Sequence, residues 1–106
     1  KDMWTEMSDP AILVKLGARI KETRIRRILT QEDLAGIAGV STLTVANIEK
    51  GKPVTILMFL AVLRALGMLE NLEYIIPEVK ISPLQLKKLQ KKKRYRVRRV
   101  NQKDNE

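Results

Sequence analysis

The chain contains no cysteine and no histidine. Disulfide staples, Cys/His metal sites and every mechanism that runs through an imidazole or a thiolate are therefore excluded. A cysteine-free chain fits a reducing cytoplasm. Long apolar runs are also missing. The longest, from Val54 to Leu63, is too short to span a bilayer, and no early segment has the layout of a signal peptide. A cytoplasmic protein without a membrane partner is expected. No paired carboxylates, nucleophile with a neighbouring base, or glycine-rich phosphate loop stands out, so neither an enzyme nor a cofactor is expected.

Acidic residues are absent from one long stretch, between Glu78 and Asp104. That absence locates the charge. The net charge is +9, and Lys87, Lys88, Lys91, Lys92, Lys93, Arg94, Arg96, Arg98 and Arg99 supply nine positive charges inside this stretch. The other basic residues are balanced by the acidic ones, so a near-neutral module carries one strongly basic C-terminal arm. A chain of 106 residues is enough for one compact domain with a modest core.

The richest segment is Gln31 to Lys50, QEDLAGIAGVSTLTVANIEK. Apolar or small residues fall at Leu34, Ala35, Ala38, Val40, Val45 and Ile48, with Gly39 between two helical halves. Ala35 has no side chain beyond Cβ and lets a second helix approach, while Val45 and Ile48, three apart, share one face of that helix. Gly39 can take a positive φ without steric cost, ending the first helix and starting the turn. Thr30 and Ser41 stand where N-cap oxygens are wanted. Two caps, a turn glycine and a small crossing residue together form the pattern of a helix-turn-helix DNA reader.

Pattern breaks divide the rest. Lys1 and Asp2 precede Met3 and are expected to be additions to the natural chain. Asp9 and Pro10 read as a cap and first turn of a long helix to about Leu29, with Leu13, Leu16, Ile20 and Ile28 as its apolar stripe. Thr55 caps a fourth helix that ends before Gly67, and a fifth is expected from Glu70 to Ile75, before Pro77. Ser82 and Pro83 open a weakly amphipathic helix through Lys92 that carries Leu86 and Leu89. The expected class is all-α, with a five-helix core module and a helical or disordered basic arm. The expected division is an N-terminal segment over residues 1–8, a DNA-binding domain over 9–77 and the arm over 78–106.

The run LGARIKETRIRRILTQEDLAGIAGVSTLTVANIEKGK, Leu16 to Lys52, resembles the Xre/Cro family of lambda-repressor-like DNA-binding domains. The likeness extends to Ala65, Leu66 and Gly67. It implies a compact lambda-repressor-like fold whose second motif helix enters the major groove, with Thr42, Leu43 and Asn47 as base-contacting residues. It also implies that Gln31 and Lys52 grip phosphate, and that Arg24 and Glu49 form a salt bridge tying the first helix to the recognition helix.

Elementary geometry supports the same residues. With Val45 and Ile48 inward, Thr42, Leu43, Ala46, Asn47 and Lys50 are free for DNA. An asparagine amide can donate to and accept from adenine together, which makes Asn47 the best base discriminator. Leu43 departs from the polar or basic residue common there; it packs on a thymine methyl or faces a protein. Helix starts near Gln31 and Thr42 point backbone N–H groups outward, suiting phosphate, with Ser41, Thr44 and Lys50 beside them.

The fourth and fifth helices carry more apolar surface than one small core uses. The surplus at Met58, Phe59, Val62, Leu69, Leu72 and Ile76 predicts a homodimer on a pseudo-palindromic operator. The arm, including Lys91, Lys92, Lys93, Arg94, Arg96, Arg98 and Arg99, is either a solvated tail or an electrostatic arm lying along double-stranded DNA beside the operator. A lone reader followed by PEVKISPLQLKKLQKKKRYRVRR also resembles the HipB-like antitoxins of bacteria, which implies autorepression and a HipA-like kinase toxin as partner. In that reading Val79 to Ile81 forms a short strand pairing across a dimer. A phage-type repressor, a restriction controller and a non-enzymatic bridging module that binds nucleic acid nonspecifically remain open alternatives.

Overall fold

Hydroxyl groups at Ser8, Thr30, Ser41, Thr55 and Ser82 cap helix starts in the computed structural model. It describes residues 3–104, with side chains over 3–94. Helix α1 spans Asp9–Arg26. Its cap is Ser8, not the expected Asp9, because Ser8 Oγ accepts the Ala11 N–H at 3.2 Å and Asp9 already has helical geometry. A single 3₁₀ turn, Trp4–Glu6, precedes it. The Trp4 ring lies under Lys15 Nζ at 4.6 Å and the Arg19 guanidinium at 5.2 Å.

Helix α1 stops at Arg26, short of the expected Leu29. Ile28 takes a φ of 56°, a left-handed conformation that a β-branched residue adopts only at a cost. This places Ile28 outside the apolar stripe, 91% exposed, and turns Leu29 back towards the core. The Leu29 carbonyl then accepts a hydrogen bond from Arg24 Nη1 at 2.8 Å.

Helices α2 (Gln31–Ala38) and α3 (Thr42–Glu49) follow, then α4 (Ile56–Ala65), a 3₁₀ turn at Leu69–Asn71 and the short α5 (Leu72–Ile75). The expected single helix over 70–75 is thus split in two. Helix α3 packs on α1 and α2, and α4 packs on α2. The core between them is Ile20, Leu34, Ala35, Val45, Ile48, Val62 and Leu66, with Leu29, Phe59 and Met68 packed against it. Truncating a fully buried side chain such as Leu34 or Leu66 to alanine costs about 2–5 kcal/mol. Val62 is fully buried here, which removes it from the residues expected at a dimer interface. Phe59 is half-buried against the same core, so it too serves packing first.

The chain divides into two compact units between Ile75 and Ile76. The second unit has no regular structure until α6, which spans Pro83–Asp104. Ser82 Oγ accepts the Gln85 N–H and Gln85 Oε1 accepts the Ser82 N–H, each at 3.2 Å, a reciprocal cap. Helix α6 runs well past the expected Lys92. No strand forms at 79–81, where the backbone finds no ladder partner among the described residues. Leu84, Leu86 and Leu89 are exposed on α6, as are its cations from Lys87 to Arg94. The side chains of Tyr95, Arg96, Arg98 and Arg99 lie outside the described residues. No described helix is long and apolar enough to cross a membrane.

Candidate nucleic-acid interface

The start of α2 is fixed by a reciprocal cap. Thr30 Oγ1 accepts the Asp33 N–H at 2.9 Å and Asp33 Oδ2 accepts the Thr30 N–H at 3.0 Å. The backbone hydrogen bond from Thr30, followed by the one to its side chain, holds the Asp33 carboxyl below the usual carboxylate range. These bonds leave the N–H groups of Gln31 and Glu32 without an intrahelical acceptor. Both belong to the positive end of the helix dipole.

Gly39 ends α2 with a φ of 74° and donates its N–H to the Ala35 carbonyl at 2.9 Å. Two residues later Ser41 Oγ accepts the Thr44 N–H at 3.0 Å, starting α3. Ser41 Oγ and Thr44 Oγ1 lie 2.9 Å apart. Both hydroxyls are thus already hydrogen-bonded within the protein, and the free N–H groups at this helix start are those of Thr42 and Leu43.

Ala35, Val45 and Ile48 are buried in the seam where the two helices cross. The opposite face of α3 presents Thr42 and Leu43, with Leu43 67% exposed, then half-buried Ala46 and Asn47, and exposed Lys50 at the C-cap. At 100° per residue these five occupy one continuous face. Lys52 is exposed just beyond the helix, and its N–H donates to the Asn47 carbonyl at 2.9 Å.

Behind this face a buried ion pair sets the angle of α3. Arg24 Nε and Nη2 donate to Glu49 Oε2 and Oε1 at 2.7 and 3.0 Å, a bidentate fork between α1 and the end of α3. The hydrogen bond to Glu49 raises the pKa of Arg24, against a smaller opposing effect of burial. Gln31 Nε2 donates to the same Glu49 Oε1 at 3.1 Å. This contact was not foreseen from the sequence: the Gln31 side chain is half-buried in the network instead of pointing freely outward.

Gly17 is the residue that sequence reasoning missed. A Cβ there would meet the carbonyl oxygens of Ile48 and Glu49, the latter at 2.8 Å. Only glycine lets α1 and the end of α3 approach this closely. The signal was present in the sequence as a glycine inside an otherwise strong helical pattern, which marks a packing reason.

The residues expected at a dimer interface differ in their surroundings. Met58 lines a groove with Gly39, Val40, Ser41, Thr44 and Leu57 at the start of α3, its Sδ 4.0 Å from Thr44 Oγ1. Leu69 and Leu72 are half-buried, and Ile76 is an exposed residue of the second unit. Tyr74, 86% exposed, and Ile75 add apolar surface to the first unit.

Comparison with known proteins bears on this arrangement. Residues 20–70 match the Helix-turn-helix family. Among solved structures, the restriction-modification controller protein C.AhdI from Aeromonas hydrophila is similar at 36% identity and a TM-score of 0.52. The similarity covers 55% of this chain and 89% of that one. No curated protein matches. A capped helix pair on an all-helical scaffold, an exposed face on its second helix and these likenesses agree: the chain has a lambda-repressor-like fold and belongs to the Xre/Cro-like helix-turn-helix family of DNA-binding transcriptional regulators.

Proposed function

We propose that the protein is a non-enzymatic regulator that binds a pseudo-palindromic operator as a homodimer, each copy laying α3 in the major groove. The carrying observation is the outward face of α3, Thr42, Leu43, Asn47 and Lys50, held over a buried seam between two helix starts with free N–H groups. Base contacts come from Thr42, Leu43 and Asn47. Phosphate contacts come from the backbone at Gln31, Glu32, Thr42 and Leu43 and from Lys50 and Lys52. Two recognition helices about 34 Å apart would read half-sites one helical turn apart. Exposed Tyr74 and Ile75, with half-buried Leu69 and Leu72, support a self-association surface. Its test is the sedimentation of the full chain at tens of micromolar, where a clean monomer sinks the dimer.

The arm contributes affinity. A helix of 22 residues is about 33 Å long, close to one turn of duplex, and its exposed lysines suit phosphates on either side. The similarity to a restriction-modification controller favours a stand-alone regulator acting in the bacterial cytoplasm. The antitoxin reading, with a HipA-like kinase as partner, keeps one support: Leu84, Leu86 and Leu89 are exposed on α6 and suit a protein partner. Purification from the native host separates the two readings, since an antitoxin brings a kinase-sized protein with it. Retention of one sequence against excess random duplex tests operator binding itself. Equal affinity for random duplex would instead make the protein a nonspecific bridging module.

A further inference from the structure

The chemistry of the α3 face says which bases it can read. A guanine is recognised by two donors reaching O6 and N7 together, most often from arginine; the usual partner of a cytosine N4 amino group is a carboxylate acceptor. Helix α3 has no arginine, and its one carboxylate, Glu49, is buried in the fork with Arg24. The nearest cation, Lys50, is at the C-cap, past the first turns that contact bases in this docking mode. Neither base of a G·C pair therefore finds its usual partner under the first turns of the helix.

Both bases of an A·T pair do. Asn47 is on the outer face, and among the described residues its amide makes no side-chain hydrogen bond, so both of its functions are free for adenine N6 and N7. Leu43 is exposed one turn earlier, and Ala46 lies between Thr42 and Leu43 in angle. Apolar side chains in a major groove gain only from the thymine C5 methyl, which is the groove's one apolar group. Thr42 adds a methyl and a hydroxyl, which accept either base.

Resting on the operator reading above, we infer that the half-site under α3 is an A·T block, with a thymine methyl packed on Leu43 and an adenine paired to Asn47. Residues 43 and 47 are four apart, about 6 Å along the helix, so the two bases lie within about two base pairs of each other. Specificity at this site comes from methyl groups and one amide. Leu43, which looks out of place beside the usual polar readers, is then the specificity residue for thymine.

The test uses the full chain and a pool of random duplexes. Selection should return a half-site whose central positions hold a thymine and an adenine at this spacing. Replacing that thymine with deoxyuridine removes only the methyl and should weaken binding about fourfold. With Leu43→Ala the thymine and deoxyuridine duplexes should bind alike. Asn47→Ala should lose about 5- to 150-fold on the selected site, and should no longer distinguish A·T from G·C at its position. A defined site with G·C pairs at the centre, or a deoxyuridine duplex that binds as tightly as thymine, overturns the inference while leaving the operator reading intact. A pool with no enriched sequence overturns the operator reading, and the inference with it.

Discussion

Helices α3 and α6 both offer a face to solvent, yet they are built in opposite ways. Helix α3 has eight residues, buries Val45, Ile48 and Glu49, and is fixed at both ends by Ser41 and by the Arg24–Glu49 fork. Helix α6 has 22 residues, and every described side chain on it is exposed. Its lysines face like charges three and four residues away, which weakens a free helix and rewards a polyanion beside it. A buried, paired charge positions a reading face, whereas exposed, unpaired charge supplies a field that carries no register.

The largest expected effect breaks the positioning side of this contrast. Glu49→Ala leaves the Arg24 guanidinium buried and unpaired, and should cost about 3–5 kcal/mol in urea denaturation. The exposed pair Arg26–Glu22, 2.8 Å apart on the surface of α1, is its internal control: Glu22→Ala should cost no more than about 1 kcal/mol. Equal losses at the two sites would mean that burial of the fork adds nothing.

On the field side, four phosphate contacts from the arm correspond to a salt slope near −3.6, so a fourfold rise in salt weakens binding by roughly 10²-fold. Deleting residues 91–106 should flatten that slope while leaving the selected sequence unchanged. An unaltered slope would show that the arm does not touch DNA. Next in size, Gly17→Ala forces a Cβ against the backbone of Ile48 and Glu49 and should destabilise by about 1–3 kcal/mol. It should also weaken operator binding, because α3 is displaced from its seat on α1; a melting curve beside a binding isotherm checks both.

The smallest effect sharpens the motif itself. Thr30→Ala removes the cap of α2 and should cost about 1 kcal/mol. Because the Asp33 carboxyl is held below its ordinary value, its contribution is present above the unfolded carboxylate pKa of about 3.9 and is lost as pH falls through the lowered folded value. Asp33→Asn should flatten stability against pH in that acid window, and a curve identical to the parent's would contradict it.

Local chemistry made much of this legible in advance. The caps at Thr30, Ser41 and Thr55, the left-handed glycines at Gly39 and Gly67, and the inward pair Val45 and Ile48 each follow from short-range rules. The Arg24–Glu49 pair, 25 residues apart, was readable only through family resemblance, since no local rule joins two such charges. Val62 shows the opposite failure. Along the largely apolar stretch from Ile56 to Leu66, every position looks equally available for an interface, and only packing chose Val62, Leu63 and Leu66 for burial while leaving Ile56 and Leu57 outside. Ile28 was lost for a related reason, because its helical spacing says nothing about a left-handed turn imposed by the return of Leu29 to the core.

By itself, then, the sequence determined the helix boundaries that depend on hydroxyl caps and glycines, the order of the motif, and the placement of the charge in one arm. These depend on interactions within a few residues, whose energies do not wait for a fold. Tertiary structure alone decided that Gly17 is the contact point of α1 with α3, that Gln31 joins the Arg24–Glu49 fork, and that the outward face of α3 is left with one amide and a set of methyl groups. Those outcomes depend on how closely two helices cross, which is set by the summed packing of side chains distant in sequence.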